Sequence, residues 1–369
     1  MRKIHLFFYL FVCAFLSPAL AGERVENASK KWAWLDFRRP AGVNPVLSPD
    51  TTSHFYCPMH RASTPWENSD TFNPAAAVLN GGIAVLYRAE DNIAQGIGSR
   101  TSRVGFAYSE DGTHFQRHAA PVLYPGGDAF AHLDTPGGCE DPRVCMTEDG
   151  LYVMMYTSWN RKTARLSVAT SRDLVHWTKH GPAFSGALRD EFTKSASIIT
   201  EMKHGRQVIS RMQGKYWMYW GEEFVNVATS EDLIHWTPLL DEKGELLHVM
   251  DTRSGYFDSR LTECGPPAIR TKKGILLFYN GKNDSGDKGD SRYTTGSYCA
   301  GQALFSAKDP TRLVDRLDEP FFQPEADFEK SGQYPQGTVF IEGLVPLHGK
   351  WFLYYGCADS RVGVAVYEP

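Results

Sequence analysis

Gly150-Leu151-Tyr152-Val153-Met154-Met155-Tyr156 opens on a turn residue and runs on as an unbroken apolar and aromatic stretch of strand length. Four counterparts share its plan: Gly82-Ile83-Ala84-Val85-Leu86-Tyr87, Gly214-Lys215-Tyr216-Trp217-Met218-Tyr219, Gly274-Ile275-Leu276-Leu277-Phe278-Tyr279 and Gly349-Lys350-Trp351-Phe352-Leu353-Tyr354. The opening glycines lie 68, 64, 60 and 75 positions apart. Strands repeating at such a period predict propeller blades, because a four-stranded sheet of this kind can bury both faces only against its neighbours. With 13% aromatic residues, 33 Gly and 21 Pro, the composition also favours short strands and tight turns over helices. The expected fold is all-β, a five-bladed β-propeller over residues 71–369, with residues 22–70 as an N-terminal arm packed on it.

A shorter apolar segment with a polar start precedes each glycine strand. These segments are Phe72-Asn73-Pro74-Ala75, Cys139-Glu140-Asp141-Pro142-Arg143, Thr193-Lys194-Ser195-Ala196, Glu263-Cys264-Gly265-Pro266-Pro267 and Glu342-Gly343-Leu344-Val345. As innermost strands, all would begin at one end of the central channel, so Asn73, Asp141, Lys194, Glu263 and Glu342 would converge there. A Ser-x-Asp-x-x-His-aromatic pattern at Ser109, Ser171 and Ser230 follows the first three glycine strands. Residues repeated once per blade are spread around a ring, so the three histidines are expected to be structural, with Asp shaping the turn and the aromatic plugging a blade interface.

The formal charge of −4 comes from interspersed signs, with no basic block to suggest nucleic-acid or anionic-membrane partners. Arg2-Lys3, the apolar run Leu6–Phe15 and Ala19-Leu20-Ala21 read as a signal peptide over residues 1–21, too short to span a bilayer, which implies export to the periplasm or cell surface of a bacterium. Six cysteines remain after it: Cys57, Cys139, Cys145, Cys264, Cys299 and Cys357. Export permits disulfides, but the number is low for the length and no Cys-x-x-Cys pair occurs, so buried thiols fit equally well. Nucleophile-elbow, zinc-protease, Walker and dinucleotide signatures are absent, and no metal or cofactor is expected.

Carboxylates at a channel mouth suit glycoside chemistry, in which one acid protonates the leaving oxygen and a second carboxylate activates water or attacks carbon. Asp141, Glu222, Glu223, Glu263, Glu90 and Asp91 are the candidates; Glu222 follows the third glycine strand as Glu90 follows the first. Phe72-Asn73-Pro74-Ala75, Leu86-Tyr87-Arg88-Ala89-Glu90-Asp91, Gly138-Cys139-Glu140-Asp141-Pro142-Arg143-Val144, Gly265-Pro266-Pro267-Ala268-Ile269 and Tyr354-Tyr355-Gly356-Cys357-Ala358-Asp359 resemble glycoside hydrolase family 130. That family holds β-mannoside phosphorylases and an exported β-1,2-mannosidase branch. The resemblance, from about residue 70 to the end, implies a five-bladed propeller acting on β-mannoside oligosaccharides, with Asp141 as a general acid working through a sugar hydroxyl.

The attacking group is water or phosphate. Arg165 and Lys194 would suit a phosphate cluster. Against that, Asn280 stands where the resemblance leads one to expect the phosphorylases' histidine, and Glu222 and Glu263 match carboxylates of the mannosidase branch. The expected enzyme is therefore an inverting, exo-acting β-1,2-mannosidase with Asp141, Glu222 and Glu263 catalytic and Asn73, Arg88, Asp91, Arg143, Lys194 and Asp258 binding substrate. Its two carboxyl positions should stand roughly 6.5–9.5 Å apart. A phosphorylase or a non-catalytic glycan-binding propeller are the alternatives. One tension is internal: in a regular strand Asp141 and Arg143 share a side, and a guanidinium lowers the pKa of an acid that should hold its proton, unless Pro142 breaks the alternation or the glutamates outweigh the arginine.

Overall fold

In the computed structural model, which describes residues 30–94 and 96–369, the chain forms five antiparallel blades around a channel. The expected leader lies outside the described residues. Blade one runs outward through Asp70–Leu79, Gly82–Glu90, Ser102–Ser109 and Gln116–Arg117. Blade two comprises Gly138–Met146, Tyr152–Trp159, Ala164–Ser171 and Thr178–Pro182. Blade three is built from Ala196–Lys203, Lys215–Trp220, Val225–Ser230 and Trp236–Pro238. In blade four the inner strand is broken into Leu261–Cys264 and Ala268–Arg270, both paired with Ile275–Lys282, and is followed by Tyr298–Phe305 and Leu313–Arg316.

Blade five has Val339–Leu347, Lys350–Cys357 and Arg361–Tyr367. Its outer position is filled by the N-terminal arm. Arg38 bridges Val366, Leu47 bridges Val362, and between them the Asn44 side-chain amide donates to the Val364 carbonyl at 2.9 Å and accepts its N–H at 2.8 Å. The ring is thus closed by the two ends of the described chain. Phe37 and Trp34 of the arm pack on Tyr367 and Phe278, adding to the core between blades four and five.

Hydrophobic packing follows the same five-fold order. One large buried cluster fills each junction: blades one with two, two with three, three with four, four with five, and five with one. The tyrosines that end the glycine strands carry hydroxyls into these interfaces, as when Tyr354 donates to the Gly112 carbonyl across the closing junction (2.7 Å) and Tyr219 to Pro310 (2.9 Å). The repeated turns behave as the sequence suggests: Asp111, Asp173 and Asp232 each accept the backbone N–H groups two and three residues on and the ring nitrogen of the following His. Those histidines point to solvent. The six cysteines are buried free thiols.

Because the arm covers the outer edge of blade five and adds to the core beside it, Phe37→Ala is expected to destabilise the whole propeller by about 3–5 kcal/mol, the usual cost of a buried Phe truncation. A thermal melt should show one transition at lower temperature; an unchanged midpoint would mean that the arm is not part of the cooperative unit.

Candidate active site

Near one end of the channel the inner strands leave regular geometry at a common level. Asn73 (φ 47°), Asp141 (φ 48°) and Ser195 (φ 54°) are left-handed, and the ladders slip between Phe72 and Pro74, Glu140 and Arg143, and Ile341 and Gly343. A bulge re-aims one side chain out of the strict alternation of a strand. Here it releases Asn73 and Asp141 from the blade interfaces into the channel mouth. Gly356 leaves space for this, since a Cβ there would collide with the Asn73 side-chain oxygen.

The alternation is therefore broken at the left-handed Asp141, where the ladder slips between Glu140 and Arg143, and Arg143 does not face the Asp141 carboxylate. Its Nη1 donates to the Asp141 backbone carbonyl at 3.0 Å and lies 2.9 Å from Glu342, while Nη2 donates to the Cys264 carbonyl at 2.9 Å. Arg143 is buried beneath the pocket, tying blades two, four and five. Other cations take its place beside Asp141. Arg88 Nη1 donates to Asp141 Oδ1 at 3.0 Å, Asn73 Nδ2 donates to the same oxygen at 2.9 Å, and Lys194 Nζ stands 3.3 Å from Oδ2. Arg88 also binds Glu90 at 2.7 Å and Glu140 at 2.9 Å.

Burial alone would raise the Asp141 pKa, but Arg88, Lys194 and Arg143 outweigh it and hold the carboxyl well below the usual range. The glutamates do not offset these cations. Burial instead pushes up their own pKa values. Glu140 rises to about 7 against the pull of Arg88, and Glu263 to about 7 against Lys194, with the Glu222 charge adding to the rise. Asp359 is likewise raised to about 7 by burial against Arg88, with Asp141 adding, and Glu342 is raised well above the ordinary value by burial against Arg143. Burial would lower Lys194, yet Asp141, Glu222 and Glu263 raise it, so it stays an ammonium. Ser195 Oγ donates to Glu263.

Of the residues expected from the sequence, Asn73, Arg88, Asp141, Lys194, Glu222 and Glu263 line one open pocket. Three of the expected binding residues lie outside this lining. Arg143 lies below the pocket, as described. Asp91 lies outside the lining, in a buried pair with Arg103 (2.7 Å), where its partner is a framework guanidinium. Asp258 is likewise removed, accepting from Tyr279 at 2.7 Å and paired with Arg253 and Arg316. Arg165 pairs with Asp190 at 3.1 Å, and Asn280 is fully buried, clamping Ile341 of the next blade through both backbone groups at 3.1 and 2.8 Å.

Trp159, Phe192, Tyr298, Gln333, Tyr334 and Asp359 also line the pocket and were not anticipated. Asp359 follows the fifth glycine strand much as Glu90 and Glu222 follow the first and third, and that parallel could have found it. Phe192, Gln333 and Tyr334 sit in connections that do not repeat, whereas Trp159 ends the second strand of blade two and Tyr298 begins the third strand of blade four. Chemically, the pocket joins hydrogen-bonding amide and cationic groups to carboxylates of opposed proton affinity, on a wall with aromatic faces. That is equipment for binding a polyhydroxylated ring and moving a proton.

A family model described as β-1,4-mannooligosaccharide phosphorylase, glycoside hydrolase family 130, matches residues 44–368. The 1,2-β-oligomannan phosphorylase of Thermoanaerobacter sp. (strain X514) is 32% identical over 314 residues, 84% of this chain and 94% of that protein. Among solved structures, one from Bacteroides thetaiotaomicron VPI-5482 is 68% identical with a TM-score of 0.91, covering 92% of this chain and 98% of the other. A second, described under the finding that the GH130 family of mannoside phosphorylases contains glycoside hydrolases that target β-1,2 mannosidic linkages in Candida mannan, is 59% identical with a TM-score of 0.90, covering 92% and 95%. With the fold, the pocket and a match over most of its length in agreement, the chain belongs to glycoside hydrolase family 130, a family of mannoside phosphorylases and hydrolases.

Proposed function

We propose that this protein is an exo-acting β-1,2-mannosidase that releases mannose by an inverting single displacement with water as nucleophile. The observation that carries the reading is that Glu222 and Glu263 line the same pocket as Lys194, close enough for their charges to raise its pKa. The pocket cations are already engaged, Arg88 by Glu90, Glu140 and Asp141, and Lys194 by Asp141. A phosphate dianion would meet a surplus of carboxylates, whereas water between two carboxylates finds acceptors for its proton. The structure that is 59% identical and described with β-1,2-mannoside hydrolases supports the same choice. The leader expected at residues 1–21 would place the activity in the periplasm or at the cell surface.

In the proposed mechanism the nonreducing mannose lies over the channel, held by Asn73, Arg88 and Lys194. Asp141 delivers a proton to the leaving oxygen through a sugar hydroxyl, and Glu222 with Glu263 orients and deprotonates water on the opposite face. Its neighbours Arg88, Lys194 and Arg143 favour the ionised form of Asp141. A neutral sugar seated between Lys194 and Asp141 would separate the ammonium from the carboxylate, raising its proton affinity as substrate binds.

Incubation with β-1,2-mannobiose should give mannose without phosphate, and NMR should show α-mannose as the first-formed anomer. Obligatory phosphate with mannose 1-phosphate as product would establish phosphorolysis instead, and β-mannose first would overturn the water-base roles. Asp141→Asn, which keeps a residue type at ease with a left-handed backbone, should fold normally and lose about 10²–10⁴-fold in kcat; retained turnover would remove Asp141 from the chemistry. Glu263 works as a base only when ionised, and its raised pKa of about 7 means that kcat/KM should fall as pH drops below that value. A profile flat down to the ordinary carboxylate range would contradict that role.

A further inference from the structure

A second cleft adjoins the catalytic pocket. Its lining includes Glu223, Phe224, Thr252, Ser254, Ser259 and Arg260, and a single turn separates the two hollows: Glu222 faces the catalytic pocket and the next two residues face the cleft. The turn is fixed in place. The Gly221 N–H donates to the Lys194 and Ser195 carbonyls (3.1 and 3.0 Å), Thr262 Oγ1 donates to the Glu223 carbonyl at 2.9 Å, and Arg260 Nη1 donates to Glu223 Oε1 at 3.0 Å. Beyond it the Phe224 ring lies nearly parallel on His248, with centroids 4.5 Å apart and planes at 12°.

Phe224 is 36% exposed, and Phe192, on the lip of the catalytic pocket, is 59% exposed. Both rings rise from the same end of blade three, and neither belongs to a blade-interface core. Exposed flat rings beside hydroxyl and charged side chains match the two surfaces of a sugar chain, its apolar C–H faces and its hydroxyl edges. An exo enzyme buries the nonreducing sugar, so the remainder of the substrate must leave through the open mouth.

We infer that the cleft is an aglycone-side subsite for neutral oligosaccharides longer than a disaccharide, with Phe192 at the exit of the pocket and Phe224 as a stacking platform beyond it. The inference rests on the β-mannoside reading of the catalytic pocket. It predicts that the wild-type protein gains kcat/KM from β-1,2-mannobiose to the tetraose, and that Phe224→Ala reduces this gain about threefold to tenfold, the worth of one aromatic contact. Leu313→Ala, another exposed apolar residue but on the outer strand of blade four, should leave the gain as it is. Each series is run with and without phosphate. Turnover only with phosphate would overturn the hydrolase reading while the length ratio still tests the cleft. A wild-type rate independent of chain length, or a gain undiminished in Phe224→Ala, would overturn the subsite.

Discussion

Everything at the catalytic end of this propeller depends on a break in the inner strands. A regular strand sends alternate side chains into the two flanking blade interfaces, which leaves none aimed along the channel axis. The left-handed residues Asn73, Asp141 and Ser195 interrupt that alternation at one level. Asn73 and Asp141 each precede a proline, where a helical or left-handed backbone is disfavoured, and Asn and Asp are among the side chains that best tolerate it. The strain, of order 1–3 kcal/mol per residue, is sustained because five apolar interfaces hold the strands from either side. Rigid blades thus present functional groups from a locally irregular backbone.

Charge is the second constraint, and it separates two layers. Below the pocket, Arg143 meets Glu342 and two backbone carbonyls, a set of contacts that fixes positions across three blades. Removing either member of such a pair would strand a buried charge. In the pocket itself carboxylates outnumber cations, and a low-dielectric site cannot keep all of them ionised. The proton affinities therefore divide: Asp141 is held low by Arg88 and Lys194, whereas Glu140, Glu263 and Asp359 hold protons up to about neutrality. A neutral ligand with many hydroxyls can enter this balance without disturbing its charge. A dianion cannot.

The architecture was legible because propellers repeat. Five glycine-led strands gave the blade count, and the polar starts of the preceding segments brought Asn73, Asp141, Lys194 and Glu263 to one place. What the repeat could not convey was the partner of each charge. Asp91 and Asp258 have the same side chain as Asp141 and lie near expected site positions, yet Arg103 in one case and Arg253, Arg316 and Tyr279 in the other turn them into framework. Those partners arrive by tertiary contact, to which periodicity is blind. Phe192, Gln333 and Tyr334 were missed for a related reason: they occupy loops that differ from blade to blade, where a propeller fits its substrate.

Asn280 shows how far the choice of nucleophile reaches into the fold. Its amide both donates to and accepts from Ile341, so it joins blade four to blade five in the manner of a strand residue. An imidazole has its two nitrogens on opposite flanks of a ring and cannot reproduce that parallel pair of bonds to one residue's backbone. Placing a histidine there would break a buried interblade contact and require Ile341 to find other partners. Glu222 and Glu263 would also have to yield to a phosphate nucleophile, since their charge opposes the anion. In the proposed hydrolase the carboxylates of the pocket wall and the interblade clamp would thus act together, and a change of nucleophile would reach beyond the pocket into the contact between blades four and five.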